Sequence, residues 1–197
     1  MIYPINIKTE DMGVVIIGGG EVGYRKCVNF INFKTNVTVI SPEFIDEFYK
    51  LDRNLVKLVK DNYKEEYIND SFIVVAATNN KEINKEIGLY CRNNSKLVNV
   101  VDSIEMSNFT TPSYVKRGDL LISISTGGKS PSLSSKIKKE LEDKYDESYE
   151  EYTRVLGEVR KDIIRKYEKK SEKKEMLNRL VELSLEELKA ISENHIK

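Results

Sequence analysis

The segment Gly13-Val14-Val15-Ile16-Ile17-Gly18-Gly19-Gly20-Glu21-Val22-Gly23 constrains this chain more than any other. Its apolar half is β-branched throughout and closed by glycine, which suits a strand buried on both faces. The glycines that follow satisfy G-x-G-x-x-G, a pattern that is weak alone and specific when it ends a strand and opens a helix. Gly18 permits the tight turn, Gly20 lacks the Cβ that would keep a pyrophosphate away, and Gly23 lets the helix lie close to the strand. The first helical amides, at Glu21 and Val22, and the positive end of the helix dipole supply what phosphates require. The bland alternative is a βα turn that holds no ligand.

The same alternation continues downstream. A helix is expected from about Glu21 to Phe33, a strand over Asn36 to Ile40 and a weaker one over Asn54 to Val59. Phe72 to Ala77 reads as another buried strand, Lys81 to Cys91 as a helix and Leu97 to Val101 as a fifth strand. Strands alternating with helices, without tight hairpin signals between them, predict crossover connections and a parallel sheet. Sheets of this kind bind ligands at the carboxyl ends of their strands. Those ends are Gly18–Gly20, Ser41–Glu43, Thr78–Asn80 and Asp102–Ser103.

Each end carries a candidate. After the second strand, the position that usually holds the ribose-binding carboxylate is Ser41, followed by Pro42; Glu43 lies close enough to reach the ribose instead. With no arginine beside Ser41 to take a 2′-phosphate, the cofactor expected is NAD rather than NADP. Thr78 and Asn79 are placed to contact the nicotinamide ribose, while Asn79 or Asn80 can cap the helix that follows. Asp102 is a lone carboxylate on the ligand side of the sheet. A histidine base is not on offer there, because the only histidine is His195. Capping of the next turn is the plainer reading of Asp102.

Farther on, Asp119 to Ser125 reads as a sixth strand. It leads into Thr126-Gly127-Gly128-Lys129-Ser130-Pro131, where Ser130 as N-cap and Pro131 at the first helical position mark a helix start. Leu133, Ile137, Leu141 and Tyr145 then recur every fourth position and form a stripe for a partner subunit or for the chain's own core. Tyr152, Val155, Leu156, Val159, Ile163 and Tyr167 mark a further helix, and Met176 to Ile191 a pair of short ones.

Taken together, Gly18 to Lys26, Ser41-Pro42, Ala76 to Asn79, Asn99-Val-Val-Asp102, Phe109, Pro112-Ser113 and Ser125 to Pro131 resemble the dehydrogenase module of the siroheme synthase family. The resemblance covers roughly residues 1 to 165; the end of the chain falls outside it. It implies NAD-dependent oxidation of precorrin-2 to sirohydrochlorin, with Asp102 as catalytic base. It also implies an intertwined homodimer and no methyltransferase domain. The substrate is rimmed with carboxylates, so Ser113, Lys116, Arg117, Lys129 and Ser130 are its candidate binding residues. The domains expected are a Rossmann domain over 1–112, a dimerisation segment over 113–146 and a helical domain over 147–197. Two other assignments stay open. One is a bifunctional dehydrogenase and ferrochelatase, in which ferrous iron is a second substrate. The other is an NAD-binding redox sensor that signals through its helical tail, which would need neither Asp102 nor the Gly127–Pro131 turn.

Composition narrows the classes. Lysine and arginine number 32 and aspartate and glutamate 32 among 197 residues, so no basic excess points to nucleic acid. Half of the charged side chains lie beyond residue 135, an even mixture suited to solvated helix faces. No apolar run approaches the roughly 20 residues needed to span a bilayer, so a membrane protein is not expected. Cys27 and Cys91 read as buried thiols in a reducing, cytoplasmic setting. No resident metal is expected, since the usual zinc ligand sets need more cysteine and histidine than this chain has.

Overall fold

The computed structural model describes residues 2–195, and the chain divides into two compact units, Met1–Thr111 and Pro112–Lys197. In the first unit, β1 (Val14–Ile17), β2 (Val37–Ser41), β3 (Val56–Lys60), β4 (Ile73–Ala76) and β5 (Leu97–Val100) form one parallel sheet in the order β3-β2-β1-β4-β5. Helices α1 (Glu21–Ile31) and α2 (Lys81–Asn93) follow β1 and β4, and short 3-10 helices at Asp46–Lys50 and Glu65–Ile68 make the other crossovers. The architecture is the Rossmann-type α/β sheet expected.

The near-continuous apolar runs exist because both faces of the sheet are covered. Along β1, Val14 and Ile16 join Val37, Val39, Val75 and Cys27 beneath α1, whereas Val15 and Ile17 join Ile40, Val74, Val98, Ile87 and Cys91 beneath α2. Ile16 and Ile17 are 0% and 1% exposed, so each burial contributes about 1.5–3 kcal/mol. Cys27 and Cys91 are buried free thiols, and desolvation pushes them up to about 12 and about 11. The outer strand β3 carries Lys57 and Lys60, charges that discourage another chain from pairing there.

Register brings the carboxyl ends level. Val14 pairs with Val37 and Ile73, and Ile73 with Leu97, so Ile17, Ile40, Ala76 and Val100 end side by side. From β1 the chain moves outward through β2 and β3, then returns to place β4 on the other flank of β1. The switch point therefore lies between β1 and β4, where an open sheet of this kind parts to admit a ligand.

In the second unit, β6 (Ser113–Arg117) and β7 (Leu120–Ile124) form an antiparallel pair. The crossover-linked parallel sheet expected of the first five strands holds, and this hairpin is an addition to it. Arg117 pairs with Leu120, leaving Gly118 and Asp119 as a two-residue loop with Gly118 at φ +56, the positive φ that tight hairpins demand. Helix α3 (Pro131–Lys144) buries Ser134 only and leaves Leu133 48% exposed. Helices α4 (Ser148–Lys166), α5 (Lys170–Leu180) and α6 (Leu185–His195) share a core of Val155, Val159, Ile163, Leu180 and Leu188. Among the described residues no helix is long and apolar enough to cross a membrane.

Candidate active site

The glycine turn has a structural half and an open half. A Cβ on Gly18, at φ +126, would stand 2.2 Å from the Ala77 carbonyl oxygen, so this glycine brings the β1 and β4 loops into contact at the switch point. On Gly23 it would stand 2.1 Å from the Gly18 carbonyl oxygen, which ties the approach of α1 to the turn. Gly19, an unspecified position of the glycine pattern, is as tight: its Cβ would stand 2.1 Å from the Glu43 carbonyl oxygen. Its own carbonyl accepts from the Ile45 amide at 3.0 Å, locking the loop after β2 against the turn.

Gly20 differs from all three, because a Cβ there would meet nothing within 4 Å. It is the N-cap of α1 and has no side chain to offer the first-turn amides. By contrast, Asn80 caps α2 through the amides of Glu82 and Ile83, and Ser130 caps α3 through that of Leu133. The helix that leaves β1 thus starts without a side-chain cap, beside open space at Gly20. That arrangement fits a pyrophosphate.

The other cofactor candidates lie around this turn. Ser41 is buried, while Pro42 and Glu43 are exposed; the Gly19 contact holds the main chain at Glu43 and leaves its carboxylate free to turn toward a ribose. Glu21 and Val22 open α1 and are exposed. Asn80 rather than Asn79 caps α2, so Asn79 remains exposed beside Thr78.

Asp102 does not cap the turn that follows it. That turn is held by Ser103 Oγ, which accepts from the Met106 amide, and by Ser107 Oγ, which donates to the carbonyls of Val100 and Ser103. The Asp102 carboxylate, on an exposed residue, instead accepts from Nδ2 of Asn84 at 3.2 Å. Asn84 is 0% exposed, and its amide also grips Thr78. Nδ2 donates to the Thr78 carbonyl at 3.0 Å, while Oδ1 accepts from the Thr78 amide at 3.1 Å and hydroxyl at 2.7 Å. The sequence reading passed over Asn84; a polar side chain at the start of a helix suggests solvent.

Within the second unit, the expected substrate residues separate into two groups. Ser113 pairs with Ile124, so it sits at the open end of the hairpin, the end from which the chain enters the Thr126–Ser130 turn. Gly127 and Gly128 stand at φ +60 and +80, and Lys129 is exposed. Thr126 clamps this turn: its Oγ1 accepts from the Ser130 amide at 3.1 Å, and its carbonyl from the Lys129 amide at 3.2 Å. Lys116 and Arg117 lie at the other end, opposite Leu121 and Leu120. Arg117 is drawn into the unit's own structure, with Nε 3.5 Å from the Glu147 carboxylate. Among the described residues no cluster of histidine, cysteine and carboxylate side chains could hold a metal ion.

Known proteins resemble this chain in both sequence and fold. Residues 5–113 match the family model of an NAD(P)-binding domain, and residues 117–144 that of the central part of sirohaem biosynthesis proteins. The siroheme synthase of Psychromonas ingrahamii is 35% identical over 140 residues, which cover 71% of this chain and 30% of that protein. The precorrin-2 dehydrogenase of Priestia megaterium is 32% identical over 181 residues, 91% of this chain and 89% of that protein. The solved structure of SirC, a precorrin-2 dehydrogenase, is similar at a TM-score of 0.80 and 30% identity, covering 98% of both chains. Matched along almost its whole length in both sequence and fold, the chain belongs to the precorrin-2 dehydrogenase family.

Proposed function

We propose that this protein oxidises precorrin-2 to sirohydrochlorin, with NAD as electron acceptor and Asp102 as proton acceptor. The observation that carries the reading is the meeting of two features at one edge of the sheet. A helix start without a side-chain cap lies beside open space at Gly20, and beyond β4 an exposed carboxylate is tethered to the Thr78 loop through Asn84. A module that only sensed NAD would need the first and not the second.

Gly18, Gly20, Glu21, Val22 and Gly23 hold the pyrophosphate end of the cofactor; Ser41, Pro42 and Glu43 flank the adenosine ribose; Thr78 and Asn79 support the nicotinamide ribose. Bound NAD supplies the hydride acceptor. The substrate loses a hydride from carbon and a proton, and a base is needed for the proton. Asp102 is suited to that because its residue is exposed and, among the described residues, its carboxylate accepts one hydrogen bond, leaving lone pairs for an incoming N–H or C–H. A positioned aspartate or glutamate can serve as general base in place of histidine. Within the second unit, the Lys129–Ser130 turn is the strongest site for substrate carboxylates, joined by Ser113 at the same hairpin end and by Lys116 and Arg117 at the other. The residues from 113 to 146 serve as the dimerisation segment between the 1–112 and 147–197 domains. We assign the protein to the reducing cytoplasm, in keeping with its two buried free thiols.

The test is direct. Purified protein given precorrin-2 and NAD should produce NADH and sirohydrochlorin in equal amounts, followed by absorbance. Binding of NAD with the tetrapyrrole left unchanged would refute the assignment. Adding ferrous iron to the same reaction shows whether the chain also inserts metal.

A further inference from the structure

Asn84 has no part in the reaction assigned so far, yet it is the most completely engaged side chain at the sheet's ligand edge. It lies in the first turns of α2, fully buried. A primary amide offers two N–H groups and two acceptor lone pairs, and here all four are used. The orientation of the amide is settled by the backbone it holds. The Thr78 N–H can only donate, so Oδ1 must face it, and the Thr78 carbonyl can only accept, so Nδ2 must face that. The second proton on Nδ2 is therefore committed to Asp102, at 3.2 Å. A residue needed merely to hold the Thr78 loop would be satisfied by its three bonds to Thr78. The fourth reaches across from the β4 side of the cleft to the end of β5.

We propose that Asn84 is a positioning residue for the dehydrogenation: one buried amide fixes the Asp102 carboxylate relative to the Thr78 loop. The proton acceptor and the residues beneath the nicotinamide ribose are then held by a single rigid group. This rests on the reading of Asp102 as the base. Pre-organisation of this kind acts on the rate of the chemical step, because a displacement of about 1 Å at a reacting group can cost about a hundredfold.

The experiment uses the full-length protein carrying Asn84→Asp, Asn84→Ser, Asp102→Asn, and each Asn84 change combined with Asp102→Asn. Asn84→Asp retains the shape and the Oδ1 acceptor for the Thr78 amide and hydroxyl, but turns the Nδ2 that donates to Asp102 and to the Thr78 carbonyl into an acceptor. Asn84→Ser adds no charge to the interior and reads the same contact should the charged variant fail to fold. The expected result is a kcat lower by about tenfold to a hundredfold, a KM for precorrin-2 within about threefold of the parent, and no further loss of kcat in the Asp102→Asn background. Groups that act as one unit are non-additive in this way. A parental kcat in the Asn84 variants would overturn the proposal while leaving Asp102 in place. So would losses that multiply with that of Asp102→Asn. Near-parental turnover by Asp102→Asn alone would overturn the base assignment and this inference with it.

Discussion

At the scale of single residues, the glycines separate by what a side chain would meet. Gly18 and Gly23 hold the fold together because main-chain oxygens occupy the space of their missing Cβ atoms, and Gly18 is at positive φ as well. Gly20 faces emptiness. Gly20→Val should therefore fold with a melting temperature close to that of the parent and lose NAD binding by calorimetry, since the branched side chain stands where a pyrophosphate would lie. Gly18→Ala should do the opposite and fail to yield folded protein. Undiminished NAD binding by Gly20→Val would show the turn to be structural only. Asp102→Asn retains the shape at the end of β5 but cannot accept a proton. It should bind NAD normally and lose about 10²–10⁴-fold in turnover, measured as steady-state NADH formation. A variant within a few-fold of the parent would move the proton to water or to a substrate carboxylate. The turn itself, and the role of Gly23 against Gly18, could be read from spacing because they depend on atoms a few residues away, whereas the closeness of Gly18 to the Ala77 carbonyl could not. Gly19 and Asn84 could not, because their partners, Glu43 and Asp102, come from other strands.

Elements show the same division between near and distant causes. The strands of the first unit were legible because a surface buried on both faces leaves a continuous apolar run. Strand β6 was not: Ser113-Tyr-Val-Lys-Arg117 buries Val115 alone and is a strand chiefly because β7 pairs with it. In the α5–α6 joint, Ser184 Oγ accepts from the Glu187 amide at 3.3 Å, and the Glu187 carboxylate accepts from the Ser184 amide at 2.8 Å. This reciprocal cap holds the Glu187 carboxyl below its ordinary range through hydrogen bonds from Ser184, and it starts a helix whose Leu188 is 0% exposed. Ser184→Ala should cost about 1 kcal/mol, read as a lower urea midpoint with an unchanged slope. An unchanged midpoint would mean that packing at Leu188 alone positions α6.

For the whole molecule, the open question is what covers α3. Leu133, Ile137, Leu141 and Tyr145 recur along one face, yet none of them is buried, and Leu133 is 48% exposed. The pair β6–β7 is already packed against α3 and α4 of the same unit, so what stays uncovered is the stripe itself. That exposure is accounted for if a second copy of the chain packs on this segment. Sedimentation at micromolar concentration should therefore find a dimer, and dissociation should be accompanied by loss of structure in residues 113–146, followed by hydrogen exchange. A stable, folded monomer under those conditions would rule the arrangement out.

By itself the sequence determined the α/β class, the cofactor turn, the capped start of α3 and the position of Asp102 at a strand end. These are properties of near neighbours along the chain: periodicity, glycine spacing, and the cap-then-proline step from Ser130 to Pro131. The packing of strands and helices settled that Gly20 alone among the turn's glycines faces open space, and that Asp102 is held by Asn84 rather than spent on a turn. It also decided that Lys116 and Arg117 lie at the far end of the hairpin from Ser113. Each of these depends on which strand lies beside which, and strand order is set by how the crossovers pack, which no short stretch of the chain encodes.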